Sequence, residues 1–241
     1  MRIWLIAALV LSVGAFLPLA DAGKKKKDAD DDVTDPKEAL QALQDFIGTW
    51  KGNADGKKLG FWSEKSNWSW RFKGKDTWMT FEVENSKLYK GGEVRFLPDK
   101  SKYQFTVTEK SGKKGIYEGE IKKNVLTVQR LNPDTSDTEK ITMSAISGGD
   151  RFVYSLWVKP DGRTQFFEQL KVGYTREGVT FGIEAGGKKP VCCVTGGLGT
   201  MQVAFGGNTY YVCCTGCRDA FNENPAKVVA EFLKKKKGGA N

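Results

Sequence analysis

Residues 67–84 read NWSWRFKGKDTWMTFEVE. Large apolar side chains stand at every second position, first Trp68, Trp70 and Phe72, then Met79, Phe81 and Val83. Period two puts one side of the chain in a core and the other in water, which is the signature of a half-buried strand. The same alternation recurs at Tyr103, Phe105 and Val107, and at Phe152, Tyr154, Leu156 and Val158. Weaker strands fit 94–96, 115–121, 125–131 and 141–145, and a last one fits 165–174. Turn residues separate them: Pro98-Asp99, Ser111-Gly112, Asn132-Pro133-Asp134, Gly148-Gly149-Asp150 and Pro160-Asp161-Gly162. Short strands joined by tight turns predict an antiparallel meander closed into a barrel, because closure removes the unpaired edges. Upstream, Asp35-Pro36 predicts a helix start, with Leu40, Leu43 and Phe46/Ile47 at helical spacing and Gly48 as its end.

A short leading helix, then Phe46-Ile47-Gly48-Thr49-Trp50, then a string of hairpins resembles the lipocalin-like and nitrobindin-like barrels. It is similar above all to a bacterial lipocalin-like family that opens with Gly-x-Trp. The resemblance covers residues 36–176, and its compact motif is Gly48 and Trp50.

All five cysteines lie between Cys192 and Cys217, in a chain without histidine. The order is Cys192-Cys193, then Cys213-Cys214-Thr215-Gly216-Cys217. Between them, 201–205 and 209–213 predict a hairpin about Gly206-Gly207-Asn208, and Asn224-Pro225 predicts a helix carrying Val228, Val229 and Phe232. An antiparallel hairpin returns its end beside its start, so the two cysteine groups should meet. Four soft ligands at about 2.3 Å make a tetrahedral metal site. So small a unit needs a staple of metal or disulfide. Two other readings stand beside metal: structural disulfides, since an exported chain meets oxidising conditions, and redox chemistry through Cys214-x-x-Cys217.

The segment resembles the YHS and TRASH families of small heavy-metal-binding domains. The matching residues are Cys192-Cys193-Val194-Thr195-Gly196, Gly207 to Cys217, Phe221 and Asn224-Pro225-Ala226-Lys227. The resemblance implies Cys192, Cys213 and Cys217 as ligands, with Cys214 or Cys193 as the fourth. Thiolates favour copper(I) or zinc over the hard cations. Arg218 and Lys227 either help offset the thiolate charge or are solvated surface residues.

Arg2, the apolar run from Ile3 to Leu19 and Ala20-Asp21-Ala22 read as a cleaved signal peptide, so export to the periplasm or outside the cell is expected, with no stable membrane insertion afterwards. The expected division is a signal peptide 1–22, a charged tether 23–34, a barrel domain 35–177, a linker 178–190, a cysteine module 191–233 and a basic tail 234–241. The net charge of +9 owes much to the lysine runs at 24–27 and 234–237. Those runs flank the fold and argue against a nucleic-acid partner. Six tryptophans, Trp50, Trp62, Trp68, Trp70, Trp78 and Trp157, either fill the barrel or line a pocket for an apolar small molecule; filling is the favoured reading. Without histidine the chain has no proximal ligand for haem and no Ser–His or Cys–His pair. Glu82, Glu84, Glu118 and Glu120 alternate with apolar residues as a solvated face does. No catalytic constellation emerges. The sequence therefore predicts a soft-metal-binding protein, with a stapled, non-catalytic interaction or apolar-ligand-binding protein as the alternative.

Overall fold

Asp35 caps the first helix, its carboxylate accepting the Lys37 backbone N–H at 2.8 Å, and Pro36 occupies the first turn, where a missing N–H costs nothing. The helix, α1 (Pro36–Gln41), is shorter than expected; a 3-10 turn (Gln44–Phe46) completes the path to Gly48. Both pieces serve the same spacing, since Leu40, Leu43, Phe46 and Ile47 are all buried. The structure is a computed structural model and describes residues 35–177 and 190–238. The expected signal peptide, the tether, residues 178–189 of the linker and the last three residues of the tail lie outside the described residues.

Ten strands follow: β1 (Gly48–Gly56), β2 (Gly60–Lys73), β3 (Asp76–Glu84), β4 (Tyr89–Leu97) and β5 (Lys102–Glu109), then β6 (Lys114–Lys122), β7 (Val125–Leu131), β8 (Thr138–Ile146), β9 (Arg151–Lys159) and β10 (Phe167–Arg176). Each pairs antiparallel with its sequence neighbour, and β1 also pairs with β10, so the meander closes into a barrel. The inward row is aromatic. Trp68 stands opposite Phe81 and stacks on it at 4.5 Å, and Phe81 stacks on Phe105 at 5.3 Å. Trp50 meets Phe152 edge-on at 4.7 Å. These side chains fill the barrel: the void bounded by Glu64, Ser66, Trp68, Tyr89, Tyr154 and Tyr174 measures about 20 Å³, room for about one water. Glu82, Glu84 and Glu120 are exposed, and Glu118 pairs with Lys100 at 2.9 Å on the outer face.

Arg176 closes the end that α1 covers. It is 8% exposed, lies 4.2 Å over the Trp50 ring, and donates to the carbonyls of Ile47 (2.6 Å), Asp45 (2.8 Å) and Gly149 (2.8 and 3.0 Å). The planar fork thus ties the last strand to the 3-10 turn and to the β8–β9 turn. Tyr103 donates to the Ala39 carbonyl at 2.8 Å and holds α1 from the other side.

After the barrel the chain forms a hairpin, β11 (Met201–Phe205) and β12 (Asn208–Val212), about Gly206 and Gly207. Both glycines have positive φ, +59° and +76°, as a two-residue hairpin loop requires. Two helices follow rather than one: α2 (Thr215–Glu223) and α3 (Pro225–Gly238). α3 runs on through Lys234 to Lys237, because lysines are good helix formers and their charge suits a helix C-terminus. Barrel and cysteine segment belong to one compact unit. No helix among the described residues is long and apolar enough to cross a membrane.

Candidate metal centre

The cysteine loop is shaped by its own backbone. Cys192 N–H bonds the Gly197 carbonyl at 2.7 Å, and Gly196 N–H returns to the Cys192 carbonyl at 2.9 Å. Gly196 sits at φ +82°, where a side chain would be strained. Cys193 N–H bonds the Tyr211 carbonyl at 2.8 Å, which pins the loop against β12. β12 then delivers Cys213, Cys214 caps α2 and Cys217 lies in its first turn. The hairpin does bring the two cysteine groups together, as its antiparallel return predicts.

The sulfurs of Cys192, Cys213 and Cys217 all lie within 4.8 Å of one another, and each residue is buried. Cys213 Sγ is 3.5 Å from Cys217 Sγ and 3.9 Å from Cys214 Sγ. Four sulfurs at about 2.3 Å around a tetrahedral ion would be separated by about 3.8 Å. The three mutually close sulfurs, those of Cys192, Cys213 and Cys217, fit a soft ion and could hold a metal; Cys214 lies outside that group of three and meets it at Cys213. All five cysteines are free, with no sulfur pair bonded. Cys193 stands apart. Burial, and then the neighbouring Cys192 charge, push its thiol up to about 11.

Within the cluster, hydrogen bonds from the Cys213 and Cys217 thiols push Cys192 and Cys214 below the ordinary thiol range. The donors are pushed up in turn by giving those bonds. The Thr195 hydroxyl joins the same knot, 3.6 Å from Cys213 Sγ and 4.0 Å from Cys217 Sγ, and it is buried.

The barrel supplies one wall. β1 ends its pairing with β2 at Gly48 opposite Trp68, so β2 runs on to Lys73 without a β1 partner. An orphan edge needs cover. Cys214 Sγ accepts the Trp70 backbone N–H at 3.4 Å, and Gly216 of α2 lies directly against the Trp70 carbonyl. The Trp70 indole donates to Gln44 Oε1 at 3.0 Å, and the Gln44 side chain fills the space beside Gly197. Trp70, Gln44 and Thr195 are therefore neighbours of the cluster that the cysteine pattern does not point to. A tertiary contact across 144 residues leaves no local signal.

The two candidate counter-cations are elsewhere. Arg218 spends its guanidinium on Asp219 at 3.2 Å on the exposed face, and Lys227 is exposed on α3. Helical geometry turns both outward while Cys217 and Phe221 turn in. Among the described residues Arg176 is a buried cation of the barrel: burial holds it below its ordinary value, and the charges of Asp150 and Asp45 offset this in part.

No protein-family model matches the chain, so the YHS/TRASH and lipocalin-like resemblances rest on the residues that carry them. No curated protein matches either. A solved structure described as EF1p2_mFAP2b bound to DFHBI is similar at 12% identity and a TM-score of 0.27, over 58% of this chain and 99% of that one. A likeness of that size carries no argument about what this barrel holds.

Proposed function

We propose that this is an exported protein that captures a soft metal ion, copper(I) or zinc, through Cys192, Cys213, Cys214 and Cys217. The observation that carries the reading is the packing of buried, unpaired sulfurs at the spacing of tetrahedral ligands. Cys214 is the better fourth ligand. Its sulfur is 3.9 Å from that of Cys213, whereas Cys193 shares no sulfur contact with the group. Thr195 and the Trp70 N–H serve as outer partners that orient the thiolates, a role in which loss costs about 10- to 100-fold in affinity. The barrel is the scaffold that completes the site's wall.

Anaerobic titration of the reduced full chain with copper(I) and zinc tests this. One equivalent should bind, and binding should weaken as the pH falls, because thiol protons must leave. Cys192→Ser, Cys213→Ser, Cys217→Ser and Cys214→Ser should each weaken binding. Failure to take up either ion, together with two disulfides in air-oxidised protein, would replace this reading by a disulfide-stapled fold. Export predicts a mature chain beginning near Gly23, read by intact mass from the native compartment; a retained residue 1–22 segment in a membrane fraction contradicts it.

A further inference from the structure

A cleft of about 920 Å³ opens beside the cluster, between the 190–196 loop, β12 and α3. Its lining includes Cys192, Cys193, Thr195, Glu231, Lys235 and Lys236. We propose that this cleft is where the metal is loaded, that its occupant is the soft-metal complex of a small anionic thiol, and that Cys193 receives the ion before the buried sulfurs do. The inference rests on the cluster being a metal site.

Cys192 and Cys217 are 0% exposed, and Cys213 and Cys214 only 4% and 6%, so the cluster is nearly closed to water. Cys192 and Thr195 nevertheless stand in the cleft wall, which makes the cleft the approach to the sulfurs. Cys193 stands in the same wall. It is next to Cys192 in the chain, yet its sulfur stays outside the group of mutually close sulfurs. A thiol so placed can share an ion with an incoming carrier without disturbing the four that hold it. The volume lies in the range of small-molecule sites. Phe232 gives the cleft an apolar side, and the two exposed lysines outweigh the single glutamate. That balance draws a carboxylate-bearing carrier rather than a cationic one.

The transfer is ligand exchange and changes no oxidation state. A carrier sulfur–metal bond breaks as the Cys193 sulfur–metal bond forms, and the Cys193 proton goes to the departing carrier thiolate. The ion then moves to the cluster sulfurs. The Cys193–metal bond breaks, and Cys193 regains a proton released by a cluster thiol.

The test is the loading rate of the reduced full chain, mixed rapidly under anaerobic conditions with two probes. One is copper(I) bound to the tripeptide γ-glutamyl-cysteinyl-glycine, which carries two carboxylates; the other is copper(I) bound to dithiothreitol, which carries none. Cys193→Ser should still load one copper per chain but take it from either complex at least about tenfold more slowly. Cys193→Ala removes the same thiol with an apolar group and repeats the measurement should serine unfold this buried position. Lys235→Glu with Lys236→Glu should slow loading from the tripeptide complex about tenfold at low salt and slow loading from the carboxylate-free dithiothreitol complex less, the difference fading as salt rises. Wild-type rates in all these variants overturn the proposal while leaving the metal site standing. A wild-type chain that loads from neither probe overturns the metal site as well.

Discussion

At Gly216 a single hydrogen atom decides whether the cysteine segment can lie on the barrel. A Cβ there would run into the Trp70 carbonyl oxygen, which is backbone and cannot swing away. Gly216→Ala should therefore lift the start of α2 off β2, and Cys217, one residue on, should move with it. Overpacking of this kind costs about 1–3 kcal/mol. Chemical denaturation should register that loss, and metal affinity should fall in the same variant although no ligand has changed. Glu139 makes a different residue-scale prediction. Burial alone would raise its carboxyl, but hydrogen bonds from Arg130 at 2.7 Å, from Tyr117 and from Asn132 at 2.6 Å outweigh that and hold it below its ordinary 4.5. A lowered folded value means the carboxylate stabilises the fold above about pH 4.5 and loses that contribution as the pH falls through the folded value. Glu139→Gln should cost about 1–3 kcal/mol at neutral pH, and the gap from wild type should close in acid. Thermal melts between pH 7 and pH 3 check both halves; a constant gap would contradict the sign.

The ten strands were unequally legible at the level of the element, for reasons that particular residues explain. Strands β2, β3, β5 and β9 announce themselves because their inward positions carry Trp, Phe, Met or Tyr. β1 is the strand that alternation misses. Its inward positions after Trp50 are Gly52, Ala54 and Gly56, too small to register as apolar. Small residues are required there: a Cβ on Gly52 would come within 2.5 Å of the Tyr174 ring, and one on Gly56 within 2.9 Å of the Trp62 ring. The bulk that fills this side of the barrel comes from the neighbouring strands instead. Gly52→Val should accordingly disrupt the β1–β10 closure and lower the melting temperature; a volume change of this kind costs about 1–3 kcal/mol. α2 was missed for a related reason. Thr215-Gly216-Cys217 is a poor opening by helix propensity, and packing on the β2 edge rather than propensity sets it. The hairpin between the cysteine groups was legible because Gly206-Gly207 is a turn with a mechanism. Arg176 looks in sequence like an ordinary charge at a strand end. Only closure of the barrel buries it against Trp50 and three carbonyl acceptors.

Cluster and barrel are physically joined in the whole molecule, and the join predicts how stability should respond to metal. Read from the sequence, residues 35–177 and 191–233 are two domains, and we propose that the first folds alone. It has a closed sheet and a filled aromatic core, and its helix and Arg176 cap come from its own residues. The second has less to stand on. Its described residues, 190–238, bury few apolar side chains beyond Val212, Phe221 and Val229, and Cys214 and Gly216 find partners on the barrel's β2. A unit of this size is marginal without a staple. Separately produced 35–177 should thus melt cooperatively and ignore added metal. Separately produced 190–238 should be largely unfolded without metal and should bind it more weakly than the full chain, since the Trp70 N–H and the Gln44 contact are gone. In the full chain, metal at 100 times its dissociation constant should stabilise the fold by about 2.7 kcal/mol. Tryptophan fluorescence should sense the binding, because the Trp70 backbone N–H donates to Cys214 Sγ and so ties that residue to the cluster. Cys214→Ser should remove that fluorescence response more completely than Cys213→Ser does, although both weaken the site. Equal affinity for metal in the 190–238 fragment and in the full chain would show that the barrel edge contributes nothing to the site, and the cluster would then have to be explained without it.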